Sequence, residues 1–97
     1  MAMYIVLGNY TEQGIKSIKD SPKRVDAARD LAKSMGAEFK EFYLTLGAYD
    51  FVTTIEAPND AVAARFALAA GSRGAVRTTT LKAFSEKEFR DIISKLP

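Results

Sequence analysis

Hydrophobic residues occupy both parities of the first extended run. Met3, Ile5 and Leu7 point one way from a strand over residues 3–10, and Tyr4, Val6 and Tyr10 point the other. Thr11 then stands as a helix N-cap with Glu12 in the first turn, and Gly14 keeps that helix short. Asp20-Ser21-Pro22 restarts it, with Ser21 as the expected cap and Pro22 at the first helical position. Val25, Ala28, Leu31, Ala32 and Met35 recur at helical spacing, and Gly36 is the expected stop.

Two further strands are predicted over 37–46 and 50–57, joined by a short hairpin connection around Gly47-Ala48-Tyr49-Asp50. Phe39 and Phe42 break strict alternation, which predicts a bulge near Lys40-Glu41. Pro58-Asn59-Asp60 opens a second helix with a Val62, Phe66, Ala69 stripe flanked by alanines, and Gly71 is the expected end. A threonine-rich strand follows over 75–84. Ser85-Glu86-Lys87-Glu88 reads as a capping box with Phe84 and Phe89 as its hydrophobic staple, and Phe89, Ile92, Ile93 and Leu96 form one apolar face.

The order is β-α-β-β-α-β followed by a terminal helix. It predicts an α+β, ferredoxin-like βαββαβ domain over 1–97, with a four-stranded antiparallel sheet and helices on one face. Water on the other face calls for apolar-polar alternation, and this chain keeps apolar residues, tyrosine and threonine there instead. A second copy related by a two-fold axis is the expected cover, hence a homodimer through the sheet face.

Composition narrows the chemistry. With 47% hydrophobic and 27% charged residues the chain is ordinary for a globular domain, and its net charge of +2 does not single out a polyanionic partner. There is no cysteine, which excludes disulfides and thiolate chemistry and fits a reducing interior. There is no histidine either, which removes the commonest metal ligand and general base. No metal and no cofactor are expected. The opening residues read straight into a strand, without a signal-like segment, and no run is long enough to span a bilayer. The expectation is a cytoplasmic protein with no membrane partner.

Any chemistry therefore falls to tyrosine, carboxylates, lysine and arginine. Tyr49 and Asp50 lead: the turn needs Gly47 and can use Asp50 to bind local amides, but nothing in a turn asks for a tyrosine. A phenol beside a carboxylate can hold or move a proton for a small ligand. Arg77 is unexpected among Ala, Val and Thr; it either pairs with Asp50, Glu56 or a dimer-mate carboxylate, or grips an anionic ligand. Tyr43, Asn9 and Thr11 are candidates for the same cavity. Ser21, Lys23 and Arg24 at a helix start form a weak candidate anion site, against the plainer reading of solvated surface charge. Gly71-Ser72-Arg73-Gly74 follows a helix, so carbonyls face it and a phosphate cradle is rejected. The strand order is also that of RNA-recognition modules, but Leu46 replaces the leading basic residue of their motif and Asp50 puts negative charge on the phosphate path.

Tyr4-Ile5-Val6-Leu7-Gly8-Asn9-Tyr10-Thr11, the Asp20-to-Arg24 step, Gly47-Ala48-Tyr49-Asp50, Glu56-Ala57-Pro58, Phe66-Ala67-Leu68-Ala69 and Val76-Arg77-Thr78 resemble the GYD domain family over nearly the whole chain. The resemblance implies a dimeric α+β barrel, two ferredoxin-like subunits paired sheet to sheet. It implies no single activity, since relatives of that fold include cofactor-independent monooxygenases, haem-dependent enzymes, muconolactone-type isomerases and amino-acid-sensing regulatory domains. The leading expectation is a small organic ligand held near the Gly-x-Tyr-Asp turn. The alternative is a cofactor-independent isomerase or monooxygenase, with Asp50 as base and Arg77 as anion clamp; an RNA-binding module is the remote third.

Overall fold

The computed structural model describes all 97 residues. Its elements are β1 (Ala2–Tyr10), α1 (Glu12–Lys16), a 3-10 turn (Ile18–Asp20), α2 (Ser21–Ser34), β2 (Glu38–Leu44), β3 (Phe51–Ala57), α3 (Asp60–Ser72), β4 (Val76–Ala83) and α4 (Glu86–Ser94). All strand pairs are antiparallel, in the order β2-β3-β1-β4. This is the ferredoxin-like α+β architecture predicted from the pattern.

The covered face holds the core. Tyr4 and Val6 of β1 and Ile55 and Ala57 of β3 pack with Ala32, Ala37, Val62, Ala63 and Phe66. Ile55 is fully buried, and burial of such a side chain stabilises the fold by about 1.5–3 kcal/mol. The predicted bulge lies between Phe39 and Glu41. It inserts Lys40 as an extra residue, so Phe39 and Phe42 both turn inward despite their odd spacing. Gly8 admits the Phe51 ring onto β1, since a Cβ there would lie 2.0 Å from the ring's Cζ.

Several local expectations hold. Thr11 accepts the Gly14 amide at 3.1 Å, Asn59 accepts that of Val62 at 3.0 Å, and the Ser85–Glu88 capping box is complete. Gly36 takes the left-handed φ of 76° just beyond α2.

Three expectations are corrected. Ser21 is not the cap of α2: the 3-10 turn feeds straight into the helix, residue 20 is already αR, and no extended residue remains to reach back. Gly71 does not end α3, which runs through it to Ser72; the left-handed residue is Gly74, at φ 87°. An interior glycine lowers helix propensity by only about 1 kcal/mol, too little to break a helix anchored on the sheet. The hairpin connection is longer than expected, with β2 ending at Leu44 and β3 starting at Phe51.

The opposite face carries Met3, Ile5, Leu7 and Asn9 of β1, Val52 and Thr54 of β3, Tyr43 of β2, and Arg77, Thr79 and Leu81 of β4. Register makes these neighbours: Leu7 lies between Val52 and Thr79, and Ile5 between Thr54 and Leu81. No helix of the chain covers them. No helix is long and apolar enough to cross a membrane.

Candidate functional site

The end of β1 and the β2–β3 connection meet at one corner of the sheet, and most candidate residues gather there. Asp50 is a latch. Its backbone amide donates to the Gly8 carbonyl at 2.8 Å, and its carboxylate Oδ2 accepts the Tyr10 amide at 2.9 Å. The Asp50 carbonyl accepts the Thr45 amide at 2.9 Å, and the Thr45 hydroxyl donates to the Tyr49 carbonyl at 2.6 Å. Gly47, at φ 126°, makes the reversal that only glycine adopts without strain. Tyr49 sits on this loop with its ring partly exposed, and its phenol has no hydrogen bond in the chain.

Asn9 and Arg77 are directly opposed across β1 and β4 on the uncovered face. The Arg77 side chain is exposed and forms no ion pair, so the expected pairing with Asp50 or Glu56 within the chain is absent. Tyr43 lies on the same face, two strands away. Its hydroxyl donates to Glu41 at 2.5 Å, and that bond to a carboxylate raises the phenol above its usual pKa. Thr11 is occupied locally, since its hydroxyl donates to the Gly74 carbonyl at 2.6 Å while capping α1.

Of Ser21, Lys23 and Arg24, the structure brings Ser21 and Arg24 to one cavity and leaves Lys23 apart from them. Ser21 Oγ and Tyr10 Oη hydrogen-bond at 3.1 Å. Arg24 turns inward: Nη1 donates to the Ser17 carbonyl at 3.1 Å and Nη2 to that of Gly14 at 3.3 Å, which satisfies carbonyls at the end of α1. Lys23 points to solvent. Positions 21 and 24 share a helix face and 23 does not.

One interaction escaped the sequence reading. The buried Tyr4 donates its hydroxyl to Asp60 Oδ1 at 2.5 Å, and Lys82 Nζ lies 3.3 Å from the same oxygen. The hydrogen bond to Asp60 pushes the phenol up to about 12, and Tyr4 and Lys82 together hold the carboxyl below its usual value. The available signal was a phenol at a core parity, which needs a partner. This group ties β1, α3 and β4 and serves the fold.

The second conspicuous feature is α4. None of its residues is buried, and Phe89, Ile92, Ile93 and Leu96 are 43–61% exposed. Phe84, just before it, is 58% exposed. The apolar stripe that the sequence outlines is therefore presented outward, on a helix with its own complete start signal.

A four-stranded antiparallel sheet with both crossover helices on one face places the protein in the ferredoxin-like α+β class. Within that class the GYD domain model matches residues 4–93, and the chain belongs to the GYD domain family. It is also 35% identical, over 97 residues and 99% of each chain, to a Thermus thermophilus protein named "Glutamine synthetase and cystathionine beta-lyase binding protein". Gly47 and Asp50 of the Gly-Ala-Tyr-Asp turn both serve the backbone, Gly47 at the reversal and Asp50 by tying the β2–β3 connection to Gly8 and Tyr10 of β1.

Proposed function

We propose that this chain is a non-catalytic binding module, a homodimer through the uncovered sheet face that docks onto partner proteins with α4. The observation that carries the docking is the outward apolar stripe Phe89-Ile92-Ile93, continued by Leu96 just past the helix end, on a helix that buries none of its residues. An amphipathic helix of this kind suits a hydrophobic groove on a folded partner. The Thermus relative is named as a binder of two metabolic enzymes, which favours enzymes of that kind as the partners. The homodimer rests on Ile5, Leu7, Val52 and Leu81, an apolar strip across three strands that another copy of the same sheet would cover.

The two surfaces separate in one experiment, in which the chain is titrated against glutamine synthetase and cystathionine β-lyase of its own organism. Leu7→Glu should leave circular dichroism native yet yield a monomer in sedimentation. Ile92→Asp should remain dimeric and lose enzyme binding at least about tenfold, the loss of one well-buried apolar anchor. If Ile92→Asp binds both enzymes as the parent does, α4 is not the docking element. If neither enzyme binds the parent chain, the docking reading fails.

A small ligand at the β1 corner is a second reading. It is favoured by the pairing of Asn9 with an Arg77 guanidinium that has no carboxylate in the chain. Arg77→Gln would test it through loss of metabolite-induced thermal shifts. Catalysis there gains little support, because Asp50, the proposed base, is engaged with the Tyr10 amide. RNA binding gains none: the sheet face of such modules stacks bases on aromatic residues, and β1 and β3 here offer Met3, Ile5, Leu7, Val52 and Thr54.

A further inference from the structure

Beneath the helices, on the side of the sheet away from the surfaces just described, a cavity of about 90 Å³ separates β1 and β3 from α2 and α3. Phe39, Phe42, Phe51 and Phe66 dominate its walls. Its polar lining is one-sided. Arg24 and Arg73 both border it, no aspartate or glutamate does, and neither arginine takes part in an ion pair. Two polar atoms there are stranded. Thr53, only 4% exposed, has a buried Oγ1 without a hydrogen-bond partner, and the buried Nε–H of Arg24 has no acceptor although the other two nitrogens of that guanidinium are engaged. A native fold rarely leaves such donors unmatched, because each unpaired group keeps its full desolvation cost.

We propose that this cavity binds a small carboxylate with a one-ring aryl body. The ring enters the phenylalanine box, whose walls are mostly apolar side chains. The carboxylate accepts Arg24 Nε–H, with the paired hydroxyls of Tyr10 and Ser21 beside it. Thr53 meets a second polar group on the body. A guanidinium half-removed from water beside an apolar pocket with no acid favours an anion over a neutral ring of the same shape. The site is separate from α4 and from the dimer face, so it is tested on the chain alone.

Benzoate, 4-hydroxybenzoate and neutral benzyl alcohol are the probes, followed by thermal shift and by the aromatic NMR resonances of the phenylalanines. Benzoate should raise the melting temperature saturably at millimolar concentration, with benzyl alcohol at least about tenfold weaker. Thr53→Val should raise the melting temperature of the free protein, since it removes the stranded hydroxyl. The same variant should weaken 4-hydroxybenzoate about tenfold while leaving benzoate unchanged. Ala70→Leu, which fills the cavity from α3, should abolish binding of both acids in a folded protein; Ala28→Leu does the same from α2 should the first variant misfold. Absence of any saturable shift would overturn the proposal, as would equal binding of benzyl alcohol and benzoate. Survival of binding in the filled variant would place the ligand elsewhere and overturn it too.

Discussion

The two faces of the sheet are built from similar residues and meet different surroundings. Inward, Tyr4, Val6, Phe51 and Ile55 lie under α2 and α3 and are almost wholly buried. Outward, Ile5, Leu7, Val52 and Leu81 form a comparable apolar strip, half-buried at the first three and exposed at Leu81. The comparison teaches that apolar character marks a surface to be removed from water without saying what removes it. The crossover helices can cover only one face, because both βαβ units in this topology place them on the same side. The inward face is packed by the chain's own helices, whereas the outward face and α4 are not, and it is there that the proposed dimer and docking contacts are placed.

The comparison breaks most sharply at Gly8. A methyl group there meets the Phe51 ring, which must tilt towards the cavity it borders, so Gly8→Ala should lower the unfolding free energy by about 1–3 kcal/mol in urea denaturation. A loss below about 1 kcal/mol would mean that the inner face is looser than its packing indicates.

A smaller effect separates inner from outer phenols along the pH axis. Tyr4 is raised from its ordinary value of 10.0 to about 12, so its protonated form is favoured in the fold. The stability it contributes is complete below pH 10 and disappears as pH rises towards 12. Tyr4→Phe should therefore lower the melting temperature near neutrality and flatten the alkaline decline across that window, read as the difference between variant and parent. Asp60 carries the opposite sign: its carboxyl is lowered, so its contribution is lost only as acid is added through that depressed value.

The smallest effect belongs to α4. Ser85→Ala removes the hydroxyl that accepts the Glu88 amide at 3.1 Å and should weaken the helix by about 1 kcal/mol. Because α4 buries no residue, helical ellipticity should fall while the main unfolding midpoint stays in place. A matching drop in the midpoint would show that α4 is part of the cooperative core.

Legibility followed the same division. Signals contained in a few consecutive residues could be read directly: the Ser85–Glu88 box, the Thr11 cap, the Lys40 bulge and the order of elements. Ser21 misled because its role depends on the turn preceding it, and Gly71 because sheet packing outweighs one unfavourable residue. At the candidate corner, the sequence identified Asp50 and Gly47 as turn residues, but not that the Asp50 carboxylate reaches across to Tyr10, a contact between distant segments. Arg24 could not be placed for the same reason. Its partners at Gly14 and Ser17 lie on another helix, and whether it faces solvent or a cavity depends on how two helices meet.

The irregularity at Lys40 has a further consequence for solubility. β2 and β4 are the two margins of the sheet, where unpaired amides and carbonyls invite a stray strand to add on. On the β2 margin the break between Phe39 and Glu41 interrupts the ladder, and the Lys40–Glu38 ion pair places charge beside the gap. On the β4 margin Arg77 and Lys82 are both exposed. A chain that leaves apolar side chains exposed on its sheet and on α4 thus carries, along both rims, features that discourage runaway stacking into fibres.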